Sequence, residues 1–441
     1  MTLERWICSL NLLIKNGHLL DPASGYDGIG DLYVSDGKIA DRDVFSEEKR
    51  KELETAGTKV IDAVGKYVMP GFVDLHVHLR EPGYEYKETI KTGTMAAAKG
   101  GFTAVCPMPN TNPSTDCPEM VQRVLEIAKK DSPIHVYPVG AVTKGQKGKE
   151  LADIEGMVKA GIKAISEDGK SVMNASLYRQ GMQEARRLSI PVFAHCEDIN
   201  MVEKGAMNAG KRAEELGIRG ISNAVEDVIV ARDILLAKET GARLHLCHCS
   251  TEDSVEMIRI AKEEGLLVSG EVCPHHFTLT DEDIPSDDAD YKMNPPLRSS
   301  TDVERLRQGL GSGIMEAIST DHAPHGEEEK NRSIAEAPFG IVGSETAFSL
   351  AVTELVKTGI LSPLELVRRM STGPCEILGV EGGSLEPGMP ADITIADFDA
   401  EYVIDKNNFV SKGKNTPFHG QKVSGRIEYT IVGGAVVYPF A

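Results

Sequence analysis

Residues 71–78 read Gly-Phe-Val-Asp-Leu-His-Val-His, a strand pattern in which apolar residues alternate with Asp74, His76 and His78. Side chains two positions apart on a strand point to the same side, so the two imidazoles can share one metal ion. The alternative is a pair of surface histidines on an edge strand. Further His and Asp residues at the ends of later strands favour the metal site.

The acidic composition excludes some classes of partner. The 441 residues carry 48 Lys and Arg against 67 Asp and Glu, a formal net charge of −19. Such a chain is a poor binder of nucleic acid or of anionic membranes. An anionic small substrate would need a local cationic pocket.

The eight cysteines do not follow a secreted disulfide pattern, and Cys106, Cys247 and Cys249 lie inside apolar strands. No signal peptide is evident, so we expect reduced thiols and a cytoplasmic location. Polar residues interrupt the apolar start at residues 1–14, and no apolar run approaches the ~18 residues of a membrane span.

Both ends of the chain have the signals of β-structure. Asn16-Gly17, Asp36-Gly37 and Gly433-Gly434 predict hairpin turns, and residues 46–54 predict an exposed helix. We therefore expect one small β-sandwich domain built from residues 1–70 and 386–441.

The middle of the chain, residues 71–385, alternates short apolar strands with helical segments such as 118–130 and 176–188. Eight strands of this kind predict an α/β fold of the TIM (β/α)8 barrel type. The predicted strands are 72–77, 103–107, 134–139, 162–166, 191–195, 243–248, 266–272 and 317–321.

In such a barrel the chemistry lies where strands end and loops begin. The residues found at these ends are His76, His78, Arg80, Asn110, Glu167, Asp168, His195, His248, Asn294, Asp321, His322 and His325. Four histidines and two aspartates on one rim suit two divalent metals, and imidazole favours zinc.

Several of these residues have a structural alternative. His195 alone would be read as a hydrogen-bonded core residue. His245 and His248 face opposite sides of their strand, and His248 is preferred because it is nearer the end. Only one of Glu167 and Asp168 can be a direct ligand. His275 and His276 are interpreted as structural or supporting residues.

Two such ions lower the pKa of a shared water and yield hydroxide near neutral pH. A carboxylate on the last strand, Asp321, can take the proton from that nucleophile and return it to a leaving nitrogen. The pattern therefore predicts metal-assisted hydrolysis of a C–N bond, or its reversal.

The chain resembles the amidohydrolase superfamily and, over nearly its whole length, the class I dihydroorotases. The motifs that carry the resemblance are residues 70–83, 107–111, 166–169, 195–198, 247–251, 294–298, 320–325 and 337–340. The resemblance implies reversible cyclisation of N-carbamoyl-L-aspartate to L-dihydroorotate in pyrimidine biosynthesis.

The resemblance also implies the roles of individual residues. Two Zn²⁺ ions per subunit would be held by His76, His78, Asp168, His195, His248 and Asp321, with Asp168 as the bridge and Asp321 also as the proton shuttle. The anionic substrate would be bound by Arg80, Asn110, Asn294, His325 and the backbone at Phe339 and Gly340.

Other relatives provide the alternatives. Hydantoinases and allantoinases bridge their metals with a carboxylated lysine, but the aligned position here is Ser166, and Lys163 lies on the other face of the strand. A non-catalytic scaffold for aspartate transcarbamoylase is disfavoured because every ligand position is filled. An active enzyme can also form a homodimer or associate with that transcarbamoylase.

Two departures from the family pattern are Glu167, where many relatives have Asp, and Gly326, where Thr is usual. The charged run at residues 327–330 is interpreted as a solvated face, with a lid over the substrate as the alternative.

Overall fold

A computed structural model describes residues 11–42, 47–55 and 58–440. Its strands are β1 Leu12–Asp21, β2 Tyr26–Ser35, β3 Lys38–Arg42, β4 Lys59–Asp62, β5 Tyr67–Pro70, β6 Phe72–Val77, β7 Phe102–Pro107, β8 His135–Val136, β9 Val139–Ala141, β10 Ala164–Ser166, β11 Val192–Ala194, β12 Met207–Asn208, β13 Gly220–Ile221, β14 Leu244–Leu246, β15 Val268–Val272, β16 Ala317–Ile318, β17 Ile393–Val403, β18 Lys422–Val432 and β19 Ala435–Tyr438.

The α-helices are α1 Glu47–Thr55, α2 Ile90–Lys99, α3 Pro118–Asp131, α4 Ile154–Ala160, α5 Ala175–Arg187, α6 Lys211–Leu216, α7 Ala224–Thr240, α8 Glu252–Glu263, α9 Pro274–Thr278, α10 Ser300–Ser312, α11 Glu327–Lys330, α12 Ala347–Ala351, α13 Pro363–Val367 and α14 Gly373–Leu378. Short 3-10 helices span Lys144–Gln146, Asp281–Asp283, Ala289–Tyr291 and Lys406–Asn408. Two π-helical turns span Val352–Val356 and Arg368–Thr372.

Strands from the two ends of the chain form one sheet in the order β19-β18-β17-β5-β1-β2-β3, with β4 paired to β1. The link between the ends is the antiparallel pair of β5 and β17, in which Pro70 faces Ile393. Buried Leu12, Ile14, Ile393 and Ile431 belong to one apolar cluster, so the two ends share a core.

Two of the three predicted hairpin turns are confirmed. Asp36-Gly37 joins β2 to β3, and Gly433-Gly434 joins β18 to β19, with positive φ angles at all four positions. The Asn16-Gly17 prediction is wrong, because β1 continues through this dipeptide with a register shift. A Cβ on Gly17 would lie 2.5 Å from Val68 Cγ2, so the glycine permits close approach of β5.

The middle of the chain is built from parallel strands. β6, β7 and β8 form one sheet, and β9, β10, β11, β14, β15 and β16 form another. Every one of the eight predicted strands overlaps an observed strand, although most are shorter than predicted. The third is divided into β8 and β9 around Pro138, which has no backbone N–H to donate to a neighbouring strand.

Further hydrogen bonds join the two parallel sheets. Val77, the last residue of β6, forms a parallel bridge with His322, and His78 N donates to His322 O over 2.9 Å. This contact places the end of β6 beside the segment that follows β16. The ends of the first and last parallel strands are therefore neighbours.

The predicted helices 118–130 and 176–188 are confirmed as α3 and α5 within one residue. Asn174 begins α5 by accepting hydrogen bonds from two backbone N–H groups, and Arg186 and Arg187 end it. The helix expected at 46–54 is observed as α1, but it is not exposed throughout, because Leu53 is buried in a cluster with Leu13. Ser46 and residues 1–10 lie outside the described residues. Among the described residues, no helix is long and apolar enough to cross a bilayer.

Candidate active site

Six predicted metal ligands meet at the carboxyl ends of the parallel strands. His76 and His78 come from the end of β6, and the other four residues follow β10, β11, β14 and β16. Each is at most 7% exposed, so the reading of the first pair as surface residues on an edge strand is wrong. The remaining four are Asp168, His195, His248 and Asp321.

One half of this cluster contains the two histidines of β6. His76 Nε2 lies 3.0 Å from Asp168 Oδ1 and 3.6 Å from Asp321 Oδ1. His78 Nε2 lies 3.0 Å from Asp321 Oδ1 and 3.5 Å from Asp168 Oδ2. The ligand atoms of His76, His78 and Asp321 are all within 4.8 Å of one another, which suits one metal ion.

The other half contains His195 and His248, whose Nδ1 and Nε2 atoms are 2.9 Å apart. Asp168 Oδ1 lies 3.7 Å from His195 Nδ1 and 3.8 Å from His248 Nε2. Asp168 therefore contacts histidines of both halves. Its neighbour Glu167 turns away and accepts a hydrogen bond from Thr143 N over 3.0 Å.

No lysine of the described chain takes part in this cluster. Ser166 occupies the position where a carboxylated lysine was the alternative, and its Oγ accepts from Asp168 N over 3.1 Å. Lys163 lies just before β10 and is exposed. The central carboxylate is therefore that of Asp168.

The charges within the cluster shift its pKa values in opposite directions. Burial lowers the pKa of His76, but Asp168 and Asp321 outweigh burial and raise it well above its usual range. Burial raises the pKa of Asp321, but His76 and His78 outweigh it and lower the value to about 2. Both aspartates are ionised at neutral pH, as metal ligands must be.

A cavity of about 190 Å³ opens over this cluster. It is lined by five of the six predicted metal ligands, by Met293 and by every predicted substrate-binding residue; His76 lies beneath it. The substrate-binding residues in the lining are Arg80, Asn110, Asn294, His325, Phe339 and Gly340.

Arg80 is the cation of this cavity. Its Nε donates to Pro324 O over 3.2 Å, and within the described residues no carboxylate oxygen lies within 4.0 Å of its guanidinium. A guanidinium without an acidic partner can bind a substrate carboxylate through two donors.

His325 lies beside Arg80 as a neutral side chain. Its Nε2 donates to Phe339 O over 2.8 Å, and its Nδ1 lies 3.1 Å from Lys87 Nζ. Burial, Arg80 and Lys87 all lower the pKa of His325. Lys87 was not predicted from the sequence as part of the site; Glu329, 2.9 Å away, balances its charge.

Comparisons with known proteins identify the family of the chain. Residues 65–254 match a family model described as dihydro-orotase-like. A dihydroorotase of Pelotomaculum thermopropionicum is 50% identical over 428 residues, which cover 97% of this chain and 98% of the relative. The chain belongs to the dihydroorotase family. A dihydroorotase of Acetivibrio thermocellus is 47% identical over 426 residues, with 97% and 98% covered.

The fold is shared with solved structures outside the dihydroorotases. The L-hydantoinase (dihydropyrimidinase) of Arthrobacter aurescens superposes with a TM-score of 0.84 at 28% identity, covering 97% of this chain and 96% of that one. The fold alone therefore does not distinguish a dihydroorotase from a hydantoinase, and the distinction depends on the cavity.

Behind the histidines of this dihydroorotase-family chain lie carboxylates that the sequence reasoning missed. Glu271 Oε1 lies 3.3 Å from His76 Nδ1, and Glu271 Oε2 lies 3.0 Å from His245 Nε2. Asp74 accepts from Thr320 N over 3.0 Å, and Glu197 Oε2 lies 3.4 Å from His195 Nε2. A carboxylate inside an apolar strand is the sequence signal that could have identified Asp74 and Glu271.

Three residues of the site have left-handed backbone conformations. The φ angles are 61° at Arg80, 36° at His248 and 45° at Asp321. Such angles are uncommon for residues other than glycine and concentrate at functional sites. All three residues follow the ends of strands, and their side chains line the cavity.

The segment between Gly326 and Pro338 contains α11, and its charged run is only partly a solvated face. Lys330 is buried, so that interpretation is wrong for this residue. Its Nζ donates to Gly340 O over 3.0 Å and to Pro338 O over 3.2 Å. Lys330 therefore holds the backbone next to Phe339 in place.

Proposed function

We propose that this chain is a zinc-dependent dihydroorotase that interconverts N-carbamoyl-L-aspartate and L-dihydroorotate in pyrimidine biosynthesis. The observation that carries the proposal is the position of Arg80, which has no acidic partner and faces the same cavity as the His and Asp cluster. The 50% identity to a dihydroorotase over nearly the whole chain supports it.

For the fold, we infer that the parallel strands form a closed (β/α)8 barrel of residues 71–385. The bridge between Val77 and His322 supports closure, because it brings the first and last strands together. Residues 1–70 and 386–441 would then form the separate β-sandwich domain. The sheet that contains β5 and β17 supports this division.

The residues of the cluster fit a pair of metal ions. His76 Nε2 is buried without a hydrogen bond, although Asp168 Oδ1 lies only 3.0 Å away, whereas Nδ1 faces Glu271. The Nε2 atom suits an ion shared with Asp168, and neutral imidazoles with carboxylates suit zinc. His76, His78 and Asp321 would hold one ion, His195 and His248 the other, and Asp168 would bridge them.

A pair of divalent ions supplies an activated water and a polarised carbonyl. In ring opening, the Asp321 carboxylate takes a proton from the attacking water and then delivers it to the amide nitrogen that leaves the carbonyl carbon. In ring closure the same proton moves in the opposite direction. The lowered pKa keeps Asp321 ionised at neutral pH, which leaves its carboxylate free to take up a proton.

The other cavity residues orient the substrate. Arg80 binds the substrate carboxylate, and the neutral His325 and the Asn110 amide complete that pocket. Asn294 and the backbone at Phe339 face the ring amides. The Gly340 N–H donates to Lys292 O over 2.9 Å. At this residue the backbone therefore shapes the pocket and does not donate to the substrate.

The second candidate is a hydantoinase, favoured by the structural similarity to the Arthrobacter enzyme. A ring without a carboxylate would leave the guanidinium donors of Arg80 with no anion in direct contact, so the cavity favours dihydroorotate. The scaffold alternative is weaker because all six proposed ligand positions are filled and lie together. Homodimer formation and association with aspartate transcarbamoylase stay predictions.

The decisive experiment compares turnover of L-dihydroorotate, allantoin and a simple hydantoin, with metal content measured on the same preparation. Selective turnover of dihydroorotate by zinc-loaded protein is the expected result. Metal without that activity would contradict the proposal and favour another cyclic amide. Neither metal nor activity would favour the scaffold.

A further inference from the structure

A second cavity, of about 490 Å³, lies at the opposite end of the parallel strands from the candidate active site. Its lining includes Leu244 and Val268, which begin β14 and β15, and Pro191, which precedes β11. The proposed catalytic residues follow the other ends of these strands. The two cavities therefore open on opposite faces of the molecule.

Positive side chains are concentrated in this second cavity. Arg243, Arg368, Arg369 and Lys262 line it, together with the acidic Glu316 and Glu376. Lys262 pairs with Glu316 at 2.9 Å. The three arginines thus exceed the one remaining carboxylate, in a chain whose net charge is −19.

The hydrogen-bond acceptors of these arginines are backbone carbonyls. Arg243 donates to Glu376 O over 3.0 Å, Arg369 donates from Nε to Leu310 O over 3.2 Å, and Arg368 donates to Pro22 O. Across residues 11–42, 47–55 and 58–440, no carboxylate oxygen lies within 4.0 Å of any of these three guanidiniums.

Arg369 is the most deeply buried of the three arginines and is only 7% exposed. Glu365 and Glu316 stabilise its charge only from beyond 4.0 Å. A buried guanidinium with no carboxylate in direct contact is stabilised when an anion binds to it. A purely structural role, in which the arginines only satisfy carbonyls at helix ends, predicts that no anion binds here, and the titration below distinguishes the two.

The remaining wall of the cavity is apolar. Leu266, Leu267 and Ile377 contribute to it, and the Leu267 side chain is 59% exposed. A volume of this size exceeds a single phosphate ion and lies in the range of small-molecule sites. We propose that the cavity binds an organic phosphate of about nucleotide size, with the phosphate on the arginines and the organic part on the leucines.

The test is calorimetric titration of the metal-loaded full chain with adenosine 5′-monophosphate and, separately, with inorganic phosphate. We expect the nucleotide to bind with a Kd below about 1 mM and phosphate to bind at least about tenfold more weakly. Equal binding of the two probes would contradict the role of the apolar wall. Absence of nucleotide binding would overturn the proposal.

The nucleotide affinity of arginine variants shows which cavity the nucleotide occupies. Arg369→Gln should weaken binding at least about tenfold, and Arg368→Gln serves as the second variant if the first does not fold. Arg179→Gln removes an exposed arginine that pairs with Glu239 and should leave binding unchanged. If Arg80→Gln abolishes binding while Arg369→Gln does not, the nucleotide occupies the candidate active site and the proposal is wrong.

Discussion

Asn110 donates a hydrogen bond from Nδ2 to Asp168 Oδ2 over 3.0 Å. Its other amide atom, Oδ1, lies 2.9 Å from His78 Nδ1. The amide oxygen can only accept, so His78 carries its proton on Nδ1 and presents Nε2 as a lone pair toward Asp321. Asn110 therefore orients two proposed metal ligands in addition to lining the substrate cavity.

The first prediction concerns the contacts of Asn110 with His78 and Asp168. Asn110→Ala should weaken zinc binding about 10- to 100-fold, because groups that orient metal ligands typically contribute this much. Chelator competition measures the affinity. Asn407→Ala, an exposed amide that contacts Asp405, is the matched control. An unchanged zinc affinity with a raised KM would assign Asn110 to the substrate alone.

The second prediction concerns recognition of the substrate's charge. Arg80→Gln removes a charged hydrogen-bond donor worth about 1.5–3 kcal/mol, so kcat/KM for dihydroorotate should fall about 10- to 150-fold, mostly through KM. Steady-state kinetics and metal analysis on the same sample measure this. Arg179→Gln is the control for loss of an arginine. A normal KM in the Arg80 variant would exclude the proposed carboxylate pocket.

The third prediction is a pH effect on metal binding. In the metal-free protein the pKa of His76 is raised, because Asp168 and Asp321 outweigh the effect of burial. The imidazole is therefore protonated at pH 7, and a metal must displace that proton, so zinc affinity should fall as the pH falls.

Calorimetry in two buffers of different ionisation enthalpy measures this proton release. We expect about one or two protons released per chain at pH 7. His419→Ala, which changes an exposed histidine beside Asp405, should release the same number. Zinc binding without proton release at pH 7 would show that His76 is neutral before the metal arrives.

The fourth prediction concerns stability and the segment that carries Phe339. Burial lowers the pKa of Lys330 to about 8, whereas an unfolded lysine titrates near about 10.4. Between these values the unfolded chain binds more protons than the folded chain, so this group makes stability rise with pH across that window.

Urea unfolding at several pH values between 7.5 and 10.5 tests this contribution. Lys330→Met should remove the part of the rise that Lys330 supplies, whereas Lys147→Met, at an exposed position, should keep it. An identical pH dependence in wild type and Lys330→Met would mean that Lys330 titrates as an ordinary lysine.

The sequence predicted those features that depend on local periodicity and on strand ends. The alternation around His76 and the apolar run before His195 identify strands, and the end of a parallel strand identifies the face where the side chains meet. Helix α3 was predicted within one residue because its proline start and amphipathic pattern are local.

Features that depend on contacts between distant segments were not predictable in this way. Asn16-Gly17 has the composition of a turn, but the neighbouring strand β5 makes it a bulge. Lys330 belongs to a charged run, but carbonyls ten residues away bind it in the interior. Glu271 contacts His76 Nδ1 only because the fold brings β15 and β6, which are far apart in sequence, to face each other.

The last prediction concerns the proton shuttle. Asp321 Oδ1 lies 3.0 Å from His78 Nε2, and Asp321 is also a proposed metal ligand. Asp321→Asn keeps an oxygen at nearly the same place but cannot accept the proton at neutral pH. The variant should therefore retain most of its metal while kcat falls about 10²- to 10⁴-fold in both directions.

Metal content, kcat for ring opening and kcat for ring closure should be measured on one preparation of this variant. Asp399→Asn, which alters an exposed carboxylate beside Lys357, is the matched control and should behave as wild type. Substantial turnover in a metal-loaded Asp321→Asn protein would contradict the shuttle. Loss of metal together with activity would instead show that the charge of Asp321 is needed to hold the ion, and metal-supplemented assays would then separate binding from proton transfer.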